Sequence, residues 1–173
     1  MLASHPMSHP SLGLPPDDPT AGRPEAAARL RRQRSTIAAL ALKSALEADP
    51  TLSSRYDTIV MRTLLRDYDR HIEQFAQALE TGETRYVSEW AEWIVPIYRR
   101  RRIPARDQQT LVGALRPAAA SVLPPEDASA FSALVDAWFK RLRMYKRLPG
   151  DHKGNRVARF IFKGAGILDD SVV

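Results

Sequence analysis

His71 and Asp67 are the residues whose types and spacing come nearest to a chemical site in this sequence. They stand four positions apart in an apolar helical pattern, so both side chains would share one face of a helix. An imidazole there could bind a metal or a haem. The same spacing is also that of an ordinary stabilising pair, and a single histidine beside Tyr68 and Phe75 is more typical of a residue at the core boundary. We therefore interpret His71 as a boundary residue.

Motifs of the common enzyme classes do not occur in the sequence. It has no Gly-x-Ser-x-Gly nucleophile motif, no phosphate-binding glycine loop, no dinucleotide fingerprint and no Glu-x-x-His pair of the di-iron bundle type. Cysteine is absent, which excludes disulfides, thiolate metal sites and cysteine nucleophiles. These observations predict a protein that is not an enzyme and that uses no cofactor.

A basic stretch over residues 137–163 is a candidate anion-binding surface. Nine basic residues and one acidic residue fall within it, and aromatic residues lie among them. Such a pattern suits a phosphate backbone with stacked bases, or an acidic lipid. We assign the contacts to Lys140, Arg143, Lys146, Arg147, Arg156 and Arg159. The other interpretation is a solvated or partner-facing surface of a helix whose opposite face is buried through Trp138.

The tail over residues 149–173 is a candidate for binding a protein partner. Its Phe160-Ile161-Phe162 run could add as a strand to a partner's sheet or enter a groove, and Ser171-Val172-Val173 has the form of a C-terminal peptide bound by a PDZ-type domain. The alternative is a tail that folds back onto its own domain. The partner-binding residues predicted here are Phe160, Ile161, Phe162, Ile167, Leu168, Val172 and Val173.

Helical periodicity dominates the middle of the chain and would position these candidates. Apolar residues recur at three- and four-residue steps, and Pro and Gly punctuate the pattern. We predict an all-α, antiparallel bundle of about five helices, over residues 25–48, 52–80, 83–101, 104–123 and 128–148. Residues 1–24, rich in proline, are predicted to be a disordered leader. The predicted core includes Ile59, Trp90, Trp93, Ile94 and Ile97.

The four arginines at positions 99–102 follow two tryptophans and Pro96 in the third predicted helix. Consecutive helical positions are about 100° apart, so four of them cannot form one binding face. Cations are favoured at the negative end of the helix dipole. The run therefore predicts a helix C-terminus, and a contact with an anion or a partner is the alternative. Pro96 is expected to kink the helix.

Net charge and hydropathy indicate what kind of partner and which cellular location to expect. The chain has 173 residues and a net charge of +6, which favours an anionic partner. No apolar run approaches the roughly 20 residues that a membrane span needs, and the N-terminus does not have the form of a secretory signal. We expect a cytoplasmic protein without a membrane span.

The segment from Tyr68 to Leu115 resembles the helical N-terminal sensor module of stressosome co-antagonist proteins of the RsbR type. The resemblance lies in Phe75-Ala76-Gln77-Ala78-Leu79-Glu80-Thr81-Gly82, in the stretch 90–102, and in Ile103-Pro104-Ala105-Arg106-Asp107. It implies a helical bundle, often dimeric, that is an input surface of a signalling assembly.

The sequence thus predicts a non-catalytic helical module that binds a protein partner, partly through its tail, with a homodimer as an option. One alternative is binding of nucleic acid or another anionic surface through residues 137–163. The other is a small-ligand sensor with a pocket between the second and third predicted helices, near His71, Trp90 and Trp93.

Overall fold

The computed structural model describes residues 22–146, and these residues form an all-α fold. Within that range there are helices and connections but no strand. The helices are α1 (Pro24–Arg32), α2 (Arg34–Ala48), α3 (Leu52–Arg55), α4 (Thr58–Thr81), α5 (Arg85–Arg100), α6 (Ala105–Gly113), α7 (Leu115–Ala120) and α8 (Pro125–Lys146). The described part of the chain contains no helix that is long and apolar enough to cross a membrane.

Three of the five predicted helices are each divided in two. The first is interrupted at Gln33, whose φ of −100° and ψ of 12° lie outside the helical region. No Pro or Gly marks this position, and the bend lets α1 pack on α4 while α2 packs on both α4 and α7. The fourth is divided at Ala114, directly after Gly113. Bends of this kind depend on what each half packs against, so helical periodicity alone does not predict them.

The second predicted helix is divided by a recognisable start signal. The structure separates α3 from α4 at Tyr56 and Asp57. The Asp57 carboxylate accepts a hydrogen bond from the Val60 N–H at 2.8 Å, which satisfies one of the free amides of the first turn of α4. An aspartate in this position is therefore the local reason why α4 begins at Thr58.

Helix α4 is the central element, because α1, α2, α5 and α8 all pack against it. Its buried face carries both apolar and polar side chains, and the Tyr68 hydroxyl donates to the Leu111 carbonyl at 2.8 Å across to α6. The helix ends at Gly82, whose φ of 75° is in the left-handed region that glycine adopts without strain. The Thr81-Gly82 terminator in the sequence accounts for this end.

Helix α5 runs through Pro96 without interruption and ends in the arginine run. The Ile103 N–H donates to the Tyr98 carbonyl at 2.9 Å, and the Arg102 N–H donates to the Arg99 carbonyl at 3.0 Å. This pair of bonds is the Schellman arrangement, which requires a left-handed residue after the helix. That residue is Arg102, with φ of 60°. Among the residues that the structure describes, Arg102 is the one non-glycine residue with a positive φ.

Two residues predicted to be in the core are exposed. Trp93 is 53% exposed and Ile59 is 75% exposed, so both assignments were wrong. The buried stripe of α5 is narrower than its apolar pattern and runs through Val87, Ala91, Ile94, Val95 and Tyr98. Ile59 lies in the first turn of α4, ahead of the first fully buried side chain of that helix, Leu64.

Asp107 fastens α3 to α6 through buried polar contacts. Its carboxylate is 3% exposed and accepts two hydrogen bonds of 3.1 Å from the Arg55 guanidinium and one of 2.6 Å from the Tyr56 hydroxyl. Burial and this carboxylate raise the pKa of Tyr56 above its usual range. A paired arrangement of this kind satisfies the lone pairs of a carboxylate that has lost its water.

We predict that replacing Arg102 by Gly stabilises the protein. A side chain at φ of 60° costs about 1 kcal/mol relative to glycine, so Arg102→Gly should raise the free energy of unfolding by about that amount. Urea unfolding measures the change. The matched control is Arg100→Gly inside the last turn of α5, which should lower stability by about 0.5–1 kcal/mol. Equal effects of the two substitutions would contradict the prediction.

Candidate functional site

His71 lies in the middle of α4 and is fully enclosed, with 2% of its surface exposed. Its Nδ1 accepts a hydrogen bond from the Trp90 indole N–H at 2.8 Å, and its Nε2 is 3.0 Å from the Tyr98 hydroxyl. An indole nitrogen can only donate, so Nδ1 carries no proton. The neutral ring therefore has its proton on Nε2 and donates it to the Tyr98 oxygen.

The hydrogen bonds continue from Tyr98 to the protein surface. The Tyr98 hydroxyl donates to the carboxylate of Asp67, which is 3% exposed, and Asp67 also accepts from Arg101 Nη1 at 3.0 Å. The bonds thus run in one direction from Trp90 through His71 and Tyr98 to Asp67. The partly exposed Arg101 donates to the same Asp67 carboxylate from the protein surface. We call these five residues the buried chain.

Burial controls the ionisation of the buried chain. It lowers the pKa of His71 to about 3, so the ring is neutral at physiological pH. It raises the pKa of Tyr98 well above the usual value for a phenol. The pKa of Asp67 is raised by burial, although the charges of Arg101 and Arg70 oppose that shift. The buried chain consequently contains a neutral imidazole, a protonated phenol and one carboxylate beside a guanidinium.

Aromatic rings surround His71 on the sides that do not hydrogen bond. The ring of Trp138 from α8 is 6.1 Å away at an angle of 76°, and that of Tyr68 is 6.4 Å away. The Nε1 atom of Trp138 is buried and has no hydrogen-bond partner. A buried donor without a partner destabilises the fold by about 1–3 kcal/mol. Dense packing of rings around the imidazole offsets this cost.

The structure corrects the interpretation of His71 as a boundary residue, because the imidazole is among the most deeply buried polar groups described. Both ring nitrogens are engaged, so a metal or a small ligand could reach them only by displacing Trp90 or Tyr98. Trp93, predicted to line a ligand pocket beside His71, instead lies outside and stacks on Trp90 with ring centroids 5.0 Å apart. Within residues 22–146, no three His, Asp or Glu side chains are grouped so that they could bind a metal ion.

The predicted anion-binding residues fall partly within the structure. Lys140 and Arg143 are exposed on α8, and Lys146 is its last residue. Their neighbour Arg141 forms an ion pair of 3.1 Å with Glu92 of α5. Outside the described residues lie Arg147, Arg156 and Arg159, together with all the residues predicted to bind a partner through the tail, namely Phe160, Ile161, Phe162, Ile167, Leu168, Val172 and Val173.

Two open surface features were not predicted from the sequence. The first is an apolar groove of about 430 Å³ between α2 and α4, which we call the leucine groove, lined by Ala39, Leu42, Lys43, Leu46, Glu47 and Leu65. The second is a pocket of about 290 Å³ between α4 and the α5–α6 turn, which we call the arginine pocket, lined by Ile59, Val60, Thr63, Leu64, Arg66, Arg101 and Ile103. The walls of the arginine pocket come from distant segments of the chain, so no local sequence pattern indicates it.

Comparison with known proteins adds no family assignment. No protein-family model matches the chain, and no curated protein matches it either. The two surface features and the buried chain are therefore interpreted from their geometry and chemistry.

We predict that His71 makes stability depend on pH below neutrality. Its pKa is about 3 when folded and near 6.5 when unfolded, so unfolding takes up a proton between these values. The stability contributed by the neutral ring is complete above about pH 6.5 and is lost as the pH falls, by roughly 1.4 kcal/mol per pH unit. Urea unfolding at a series of pH values measures this slope.

The control for this prediction is His71→Gln, which removes the proton uptake while leaving the other titrating groups in place. Asp67 acts in the opposite sense, because its raised pKa lets the folded state bind a proton more readily as the pH falls. The difference between the two slopes isolates His71. Equal slopes for the parent protein and the variant would show that His71 does not titrate on unfolding.

Proposed function

We propose that this protein is a non-catalytic protein-interaction module with a regulatory role, which forms a homodimer through the leucine groove and binds a protein partner partly through residues 149–173. The observation that carries the proposal is the arrangement of α2, whose leucines at the groove, Leu42 and Leu46, are only partly covered by the rest of the fold. A helix that is apolar on both faces needs a second apolar surface to pack against.

Helix α2 buries one isoleucine and three alanines and leaves its leucines only partly covered. The side chains it turns inward are Ile37, Ala38, Ala41 and Ala45. Leu42 and Leu46 are only partly covered, and together with the 37% exposed Leu65 of α4 they line the leucine groove. Exposed apolar surface that is contiguous in this way marks an interaction site more often than scattered single residues do.

The occupant we propose is a second copy of the same chain. Lys43 and Glu47 border the groove, and their ion pair within α2 is 3.8 Å long and largely exposed, so it is weak. Contacts across a two-fold axis are reciprocal. In an antiparallel pairing of two α2 helices, Lys43 would therefore face the partner's Glu47, and Glu47 would face the partner's Lys43. The groove is self-complementary in both charge and apolar character.

The resemblance to the helical modules of stressosome co-antagonist proteins supports the same function, because such modules are often dimeric inputs to a signalling assembly. We extend the proposal to an antiparallel bundle of the described helices and to a cytoplasmic location, in keeping with a chain that contains no cysteine. A second candidate function is binding of an anionic surface through residues 137–163. It is favoured by Lys140 and Arg143, which are exposed and paired with no carboxylate of the described residues.

The dimer is tested by replacing Leu46 with Ser. In a two-fold dimer each residue contributes to the interface twice. Removing one leucine per chain should therefore raise the dissociation constant of the dimer by roughly a hundredfold. Sedimentation equilibrium of the full chain measures the dissociation constant. The matched control is Leu40→Ser, since Leu40 is also a partly exposed leucine of α2, with 36% exposure, but does not line the groove. A parent protein that is monomeric throughout, or equal effects of both variants, would exclude this dimer.

The role of the tail is tested by comparing the full chain with a chain that ends at residue 148. We expect the shorter chain to lose a protein partner that the full chain captures from a cell extract, because the apolar residues of the tail supply the contact. A full-length variant with Phe160, Ile161 and Phe162 replaced by Ser should lose the same partner, whereas Lys153→Ala should retain it. The tail has no part in recognition if every captured partner remains bound to the shorter chain.

A further inference from the structure

The arginine pocket combines apolar walls with two guanidinium groups. Ile59, which is 75% exposed, and the half-buried Val60 supply apolar surface, while Arg66 and Arg101 supply positive charge. A single exposed isoleucine is common on protein surfaces, and here its apolar side chain lines the same pocket as two guanidinium groups. The pocket therefore suits a ligand that has both an anionic group and an apolar part.

The guanidinium of Arg101 is fixed in place from the inside. Its Nη1 donates to Asp67, and Asp67 is in turn bound by the Tyr98 hydroxyl of the buried chain. The Arg101 side chain is nevertheless 43% exposed, and a guanidinium has five N–H donors. The donors that do not face Asp67 remain available at the pocket. A cation oriented before a ligand arrives binds without losing the entropy of ordering a free side chain.

Positive charge on the adjoining face of α4 exceeds what the fold itself neutralises. Arg62, Arg66 and Arg70 stand four residues apart and so lie along one face of the helix. Arg70 acts electrostatically on the Asp67 carboxylate, but within residues 22–146 no carboxylate forms an ion pair with Arg62 or Arg66, and like charges at this spacing repel each other and destabilise a helix. An anion bound beside them would remove this repulsion.

The backbone beside the pocket is strained. Arg102, which directly follows Arg101, adopts a φ of 60° that glycine would adopt without cost. Strain of this kind is concentrated at binding sites, where the surrounding structure enforces it. It here determines the path of the turn that brings Ile103 and Arg101 to the same pocket. This conformation is that of the Schellman end of α5.

We propose that the arginine pocket binds a phosphomonoester, with the phosphate between Arg66 and Arg101 and the apolar substituent against Ile59 and Val60. A phosphomonoester carries about 1.5 to 2 negative charges at neutral pH and several strong acceptor oxygens, which match two guanidinium forks. A carboxylate has a single charge and only two oxygens, so it would leave one guanidinium unmatched. The phosphomonoester comes from a free small molecule or from a lipid headgroup, and both present the same chemistry to the pocket.

The test is a titration of the full chain with phenyl phosphate, followed by two-dimensional NMR of the backbone amides. We expect saturable shifts at Thr63, Arg66 and the 101–103 turn. Replacing Arg66 by Gln should weaken binding about tenfold, because a charge-assisted hydrogen bond to the phosphate is lost. The matched control is Arg32→Gln at the end of α1, an exposed arginine outside the pocket, which should change affinity by less than about twofold.

Three outcomes would overturn the proposal. One is no saturable binding of phenyl phosphate up to about 10 mM together with no binding to vesicles of phosphatidylcholine and phosphatidic acid. The second is equal weakening by Arg66→Gln and Arg32→Gln, since that would indicate general attraction to a basic protein. The third is equal binding to vesicles in which phosphatidylglycerol, a phosphodiester, replaces phosphatidic acid.

The other outcomes of the titration and of the vesicle experiment identify the source of the phosphomonoester. Binding of phenyl phosphate that depends on Arg66, without binding to phosphatidic acid vesicles, assigns a free small molecule. Vesicle binding that depends on Arg66 and on phosphatidic acid assigns a lipid headgroup. Amide spectra of each variant without ligand establish that the fold is retained, so a loss of binding is not a loss of structure.

Discussion

The hydrogen bonds from Trp90 through His71 and Tyr98 to Asp67 and Arg101 are the interaction on which the rest of this structure depends. They lie between α4 and α5, where water is excluded and every polar group must find its partner within the protein. A buried imidazole and a buried carboxylate would each destabilise the fold if left unpaired. Joined in one directional series, they set the register of the two helices and the orientation of each side chain.

This constraint also explains why the buried interior and the surface are linked at the α5–α6 turn. Arg101 is both the last member of the buried chain and a wall of the arginine pocket. Asp107 works in a comparable way between α3 and α6, where Arg55 and Tyr56 bind its carboxylate and hold the two helices together. In both places a buried carboxylate orients an arginine whose side chain is partly exposed.

The two proposed interaction surfaces lie on different sides of α4 and differ in charge and in apolar character. The leucine groove is apolar and self-complementary, which suits a second copy of the chain. The arginine pocket is cationic and only partly apolar, which suits a compact anion with an apolar substituent. A dimer formed through the groove would leave the arginine pocket open, because Ile59 and Arg66 are not among the residues that line the groove. Both surfaces are consistent with a regulatory module that joins a partner and a small anionic ligand.

The sequence by itself determined the helical class of residues 22–146, the end of α4 at Gly82 and the end of α5 in the arginine run. These depend on local periodicity, on glycine in the left-handed region and on charge at a helix end, all of which are properties of neighbouring residues. The tertiary structure alone decided that His71 is enclosed by rings from α5 and α8, that Trp93 and Ile59 are exposed, and that Arg66 and Arg101 line one pocket. Those facts depend on which helix faces cover each other, and apolar periodicity shows that a face is apolar without showing how much of it a neighbouring helix covers.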